Sequence, residues 1–374
     1  MTTAAMATAA APTAATSAPV ETPTAAPFAP ATDGLGGGGS GAVVSMVDEL
    51  CFPSVGMGGA AALRGAKVTI VGCGSVGMAC ASSILATGLA STLVFADVDS
   101  KKMRGEVLDF THGGAVRVFY HANVKAAAPN YDGSEESDVI IITAGARQRP
   151  GESRLALVAR NAAIFRSILP PLVSRSPNAI LIIVSNPVDI LTAIAARISG
   201  FPPGRVLGSG TYLDSSRLRV ALASQLGVAP KSVHASILGE HGDSSVAVAS
   251  MANVGGARFA DIKMSETAWA ALHARVVGAA KDVIELKGYT NWGVGAAVGA
   301  LVGFILRDEK RVVPVSVSAK GTYDIEEDVF LSLPAVLGRG GVERVLRVPL
   351  SAAEHSKLHA SAQALAEVAR SVEL

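Results

Sequence analysis

The chain has 374 residues, 49% of them apolar, and a formal net charge of +1 from 32 basic and 31 acidic side chains. That length supports two packed domains of ordinary size, and the balanced charge excludes a global pull toward nucleic acid or anionic lipid. Three cysteines, Cys51, Cys73 and Cys80, are too few for a disulfide framework, and the absence of CxxC or Cys/His ligand spacing argues against a metal site.

Residues 1–65 form a leader that opens with Ala, Thr and Pro and then carries a glycine run, GLGGGGS. Such a segment buries too little apolar surface to offset its ordering entropy, so we expect disorder. It is poor in acids, as organelle presequences are, yet no Lys or Arg precedes Arg64. It also lacks the basic start and long apolar run of a secretory signal. A cytoplasmic protein is expected, with an organelle as the alternative.

Order is expected from Ala66. Lys67–Val71 (KVTIV) reads as a buried strand, and Ser75–Leu85 follows with helical spacing. Thr92–Ala96, Val139–Ile142 and Ile180–Val184 read as further strands. Strands that are apolar throughout, separated by helical stretches, predict a parallel sheet covered on both faces. The fold class expected is α/β: a doubly wound sheet over 66–209, then a second α+β domain over 210–374. Residues 288–306 are uncharged and near bilayer length, but glycine-rich and marked by Thr290 and Asn291. A buried helix of a soluble domain is the better reading than a membrane span.

The turn VGCGSVG sets Gly72, Gly74 and Gly77 in the pattern GxGxxG, with Ser75 and Val76 between them. Alone this is a weak signal in a chain with 39 glycines. Here a strand precedes it, a helix follows, and Asp97 ends the next strand twenty residues beyond Gly77. Gly72 permits the tight turn, Gly74 the approach of a pyrophosphate, and Gly77 close packing of helix on strand. The phosphates would rest on the helix N-terminus. Asp97 would accept the ribose hydroxyls and repel a 2′-phosphate, which favours NAD over NADP.

Three stretches lie just past or downstream of strand ends, where open parallel sheets bind ligands: TAGARQRPGESR (Thr143–Arg154), VSNPVD (Val184–Asp189) and GSGTYLDSSRLR (Gly208–Arg219). A fourth, GEHGDSS, places His241 after the apolar run Ala235–Leu238. In LDSSR, Asp214 and Arg217 stand three residues apart and share a face if the segment is helical. By themselves they read as a surface ion pair.

Taken in order, GxGxxG, ARQxxGESR, SNPVDILT, GSGTxLDSSR, GEHGDSS and LKGYT resemble the lactate/malate dehydrogenase family from Ala66 to the C-terminus, and within it the L-lactate dehydrogenases. The ending DVFLSLPAVLGRGGV looks nearest to plant-type members. The resemblance implies an NAD-dependent oxidoreductase that moves a hydride between NADH and pyruvate, giving (S)-lactate, and that assembles as a homotetramer without membrane or nucleic acid.

It also implies roles. His241 would be the acid/base at the substrate carbonyl, suited by a pKa near working pH. Asp214 would fix its tautomer and stabilise the imidazolium. Arg217 would grip the substrate carboxylate with two parallel hydrogen bonds. Arg154 would polarise the carbonyl from a closing loop bracketed by Gly145 and Gly151, and closure would exclude water. Arg147 would meet the cofactor phosphates, Asn186 the carbonyl and nicotinamide, and Thr290 the methyl end of the substrate. The other six histidines gain no role.

Malate enzymes of the family carry arginine six positions before the polarising arginine, and lactate enzymes glutamine. Counting back from Arg154 reaches Gln148, with Arg149 one step away. Oxaloacetate has a second carboxylate, whose unpaired burial costs several kcal/mol, and neutral Gln148 cannot neutralise it. Pyruvate is therefore the expected substrate, with malate dehydrogenase as the alternative and a non-catalytic redox sensor as a further one. Tyr212 departs from the family, which has asparagine before Leu213-Asp214, and Cys73 reads as an inert buried thiol.

Overall fold

The computed structural model describes residues 65–116, 122–146, 153–259, 261 and 264–371. The leader read over 1–65 thus lies almost wholly outside the described residues. The first half alternates strand and helix: β1 Lys67–Val71, α1 Ser75–Ala86, β2 Thr92–Ala96, α2 Ser100–Gly114, β3 Asn123–Ala126, β4 Val139–Ile142, α3 Arg154–Arg175, β5 Ile180–Ile183, α4 Val188–Ser199 and β6 Val206–Gly208. These six strands are parallel, in the order β6-β5-β4-β1-β2-β3.

All four side chains of β4 and of β5 are buried. Successive side chains point to opposite faces, so both faces of the sheet are covered, and this is why these strands read as unbroken apolar runs. The strand order reverses between β1 and β4, whose ends are registered Val71 to Ile142. The crevice past these two ends is where an open sheet of this kind takes its ligand.

The second half contains α5 Tyr212–Leu226, β7 Val233–Leu238, β8 Val246–Val254, β9 Ala257–Arg258, α6 Glu266–Lys287, α7 Trp292–Leu306, β10 Arg311–Ser318, β11 Phe330–Gly338, β12 Gly341–Val345 and α8 Ala352–Ser371. The strands β7, β8 and β9 form a separate antiparallel sheet. The large sheet does not end with β6: β10 pairs antiparallel to it at Ser316 opposite Gly208, and β11 and β12 continue it to nine strands. The alternation read over Val312–Val317 is a strand, but Val313, Val315, Ser316 and Val317 are all buried, because α4, α5 and β7 pack against β10.

The uncharged stretch over 288–306 forms a mostly buried 15-residue helix, α7. Its glycines have a packing reason. A Cβ on Gly295 would lie 2.5 Å from the Ala79 carbonyl carbon, and one on Gly299 would lie 2.2 Å from Ser83 Oγ. Small residues thus seat α7 directly on α1. Among the described residues one stretch, Leu155–Arg175 in α3, is long and apolar enough to cross a membrane by length and composition, and 44% of its most apolar window is buried within the protein.

Candidate active site

The dinucleotide turn is shaped by backbone. Gly72 has φ +103°, a left-handed value that glycine tolerates, and a Cβ there would meet the Ala144 nitrogen at 2.7 Å. At Gly77 a Cβ would lie 2.0 Å from the Gly72 carbonyl oxygen, so helix α1 can press on its own strand only with hydrogen at that position. Gly74, by contrast, faces open space, with nothing within 4 Å of a Cβ. It caps α1 without a side-chain hydrogen bond, and no acid stands in the first turn. The N–H groups of Ser75, Val76 and Gly77 thus begin a helix with no side chain competing for them. A cavity of about 430 Å³ opens beside Gly74 and Ser75, bounded also by Lys102, Glu106, Tyr289 and Trp292.

Asp97 follows β2. Its carboxylate accepts the Cys73 N–H at 2.5 Å and the Asp99 N–H at 2.9 Å, so it shapes the turn while two carboxylate oxygens keep capacity for further donors. Burial, and then the Asp97 charge, push the Cys73 thiol up to about 12, which keeps it protonated and inert.

The second cluster is made by side chains from distant elements. His241 lies just after β7, on a segment tied to β11 by paired backbone hydrogen bonds between Gly239 and Ser332. Its Nδ1 is 2.6 Å from Asp214 Oδ2, and Asp214 Oδ1 accepts from Arg217 Nη1 at 2.7 Å. Asp214 and Arg217 lie in α5 one turn apart, as their spacing suggested. The pair is not a solvated surface bridge, since their side chains are only 11% and 21% exposed and the carboxylate is shared with the imidazole.

Burial alone would raise the Asp214 carboxyl, but the hydrogen bond and charge of His241, followed by those of Arg217, hold it below the usual carboxylate range. Burial alone would lower the His241 imidazole, but its hydrogen bond to Asp214 and that carboxylate's charge raise it, with Asp189 adding to the rise. The arrangement therefore favours a proton on the imidazole and a negative charge on the carboxylate behind it.

Arg217 and Thr290 line one cavity of about 660 Å³ between α5, α6 and the start of α7. That cavity and the one beside Gly74 share Asn291 and Trp292 as walls. Asn186 stands between β5 and α4, with an exposed side chain and a carbonyl that accepts from Asn161 Nδ2 at 2.9 Å. Gly145 is a close-packing position, since a Cβ would come within 3.3 Å of the Ser185 Cβ. Arg147, Gln148 and Gly151 lie outside the described residues. Arg154 opens α3, capped by Ser153 Oγ accepting from the Ala156 N–H at 3.2 Å, but its side chain is likewise outside the description. Tyr212 packs edge-on against Phe304, with ring centroids 6.1 Å apart.

Three polar residues that organise these segments gave no signal in the sequence. Asn161, buried in α3, accepts the Ala146 N–H at 2.7 Å and donates to Asn186. Asp189, buried in the first turn of α4, accepts both the Ser316 hydroxyl from β10 and the His241 main-chain N–H. A buried Asn or Asp inside an apolar helix is the sole hint the sequence offers for them.

Two family models cover the chain: the lactate/malate dehydrogenase NAD binding domain over residues 66–208, and the lactate/malate dehydrogenase α/β C-terminal domain over 211–373. The chain belongs to the lactate/malate dehydrogenase family. Among curated relatives, the L-lactate dehydrogenase C chain of Sus scrofa is 47% identical over 80% of this chain and 91% of that protein. The B chain of Sceloporus undulatus is 46% identical over 82% and 92%, and the A chain of Trachemys scripta elegans is 47% identical over 80% and 91%. As a lactate/malate dehydrogenase family member the chain is an NAD-dependent oxidoreductase. The residues fit that cofactor: open space at Gly74, an uncapped helix start at Ser75–Gly77 and an acid at the end of β2.

Proposed function

We propose that this protein is an L-lactate dehydrogenase, reversibly reducing pyruvate to (S)-lactate. The continuous contact from His241 through Asp214 to Arg217 carries the reading. Bound NADH would supply the hydride. With Nδ1–H donating to Asp214, Nε2 is the nitrogen that gives a proton to the substrate carbonyl oxygen during reduction and takes it back during oxidation. Asp214 keeps the imidazole in that tautomer. One nitrogen of Arg217 is spent on Asp214, and the guanidinium, which lines the cavity, has further N–H donors with which it would hold a carboxylate there.

In this proposal Arg154 polarises the carbonyl, Asn186 assists it beside the nicotinamide, and Thr290 borders the methyl end. Gly72, Gly74, Ser75, Val76, Gly77, Asp97 and Arg147 hold the cofactor. Residues 66–209 form the cofactor half and 210–374 the substrate half. Neutral Gln148 favours pyruvate over oxaloacetate. The test follows nicotinamide absorbance with purified protein, NADH, and pyruvate or oxaloacetate in turn. Faster oxidation with pyruvate is expected; a preference for oxaloacetate would assign the protein to malate and put Arg149 in the pocket.

We also propose a cytoplasmic homotetramer. The family resemblance favours the assembly, and so does apolar surface at the end of α6, where Ile284 is 48% and Leu286 89% exposed. Light scattering on the eluting protein tests the subunit number.

A further inference from the structure

His241 touches a second carboxylate. Asp189 Oδ2 accepts the His241 main-chain N–H at 2.8 Å, and Asp189 Oδ1 accepts the Ser316 hydroxyl at 2.6 Å. Asp189 is 3% exposed and Ser316 is fully buried. One carboxylate thus joins α4, β10 and the segment bearing the imidazole, across 52 and 127 residues of chain. Its place in the first turn of α4 favours an anion, through the free N–H groups and dipole of that helix end.

Burying an acid at a site where one hydroxyl and one N–H would suit a neutral amide equally well is costly. Burial pushes the Asp189 carboxyl up to about 6; the Ser316 and His241 hydrogen bonds and the His241 charge oppose that rise. The charged groups acting on the imidazole are Asp214 and Arg217 from α5 and Asp189 from α4, while Glu240, on the imidazole's own segment, acts on Asp189, and His273 of α6 feels Asp214. Arg217 opposes a proton on His241, whereas Asp214 and Asp189 favour one.

We infer that Asp189 is a positioning residue for His241: its buried carboxylate anchors the main chain that aims the imidazole and supplies a second negative charge that favours the imidazolium. This rests on the reading of His241 as the proton donor in pyruvate reduction. Asp214 fixes the ring; Asp189 fixes the backbone from which the ring hangs and makes the protonated state easier to hold at neutral pH.

The test is the pH profile of kcat/KM for pyruvate in the full-length protein and in Asp189→Asn, which keeps the shape and an acceptor for the N–H but removes the charge. The alkaline limb, where reduction is lost as the imidazolium deprotonates, moves to lower pH. The rate relative to the unmodified enzyme falls roughly tenfold further at pH 8 than at pH 6. If Asp189→Asn does not fold, Ser316→Ala carries the test: removing the hydroxyl leaves the Asp189 carboxylate less well supported, and the limb moves the same way by a smaller amount. A variant whose rate drops equally at all pH values, with the limb unmoved, would overturn the inference. If the unmodified protein has no alkaline limb, or no turnover with pyruvate, the failure belongs to the role given to His241.

Discussion

The dinucleotide turn and the His241 cluster sit in one molecule but are made in opposite ways. At the turn, specificity comes from atoms that are missing: hydrogen at Gly72 and Gly77 lets backbone approach backbone, Gly74 leaves open space, and the single acid already hydrogen-bonds the turn. At His241 it comes from side chains that are present and charged, gathered from α4, α5 and the segment after β7. A site built from shape tolerates changes of pH and fails when a methyl group is added. A site built from charge tolerates small changes of volume and fails when a proton or a charge is removed.

Substitutions can break that contrast. His241→Ala should lower turnover with pyruvate by roughly a thousandfold while NADH binding, followed by fluorescence, persists; retained turnover would remove His241 from the chemistry. Gln148→Arg should move the ratio of kcat/KM for oxaloacetate over pyruvate upward by roughly a hundredfold, through pairing of the second carboxylate. An unchanged ratio would place position 148 away from the substrate. Gly77→Val, whose Cβ would lie 2.0 Å from the Gly72 oxygen, should do the reverse of His241→Ala and abolish NADH binding.

The pH response sharpens the same contrast. The Asp214 carboxylate raises the His241 imidazole, so reduction, which needs the imidazolium, holds below that raised pKa and declines as pH climbs through it, about tenfold per unit. Lactate oxidation needs the neutral ring and should gain over the same range. NADH affinity should stay level throughout, and a parallel fall would mean the two sites are electrostatically joined. The smallest effect is expected in the seam between the helices: Gly299→Ala should lower stability by about 1–3 kcal/mol in denaturant unfolding, since the new methyl meets Ser83 Oγ.

The sequence made some of this legible for definite physical reasons. β1, β2, β4 and β5 could be read because burial on both faces leaves apolar runs. β3 could not, since Asn123–Ala126 is an edge strand with no buried residue, and β6 is three residues long. Asp214 and Arg217 were readable as a pair because one helical turn separates them. The contacts of Asp189 with His241 and Ser316 were not, because local spacing carries no trace of partners so far along the chain. The extension of the large sheet through β10 was hidden for the same reason: a single register position, Ser316 opposite Gly208, joins the two halves.

The glycine stripe of α7 has one more effect. With Gly295 and Gly299 seated on Ala79 and Ser83, α7 and α1 lie backbone against backbone as one packed pair. The two helices start at the same end of this pair: Gly74 opens α1 there, and Asn291 and Trp292, which wall both cavities, open α7. A bulkier residue midway along that pair should part the two helices and so weaken the grip on cofactor and on acid in step, a coupling that parallel changes in NADH affinity and in KM for the acid would register.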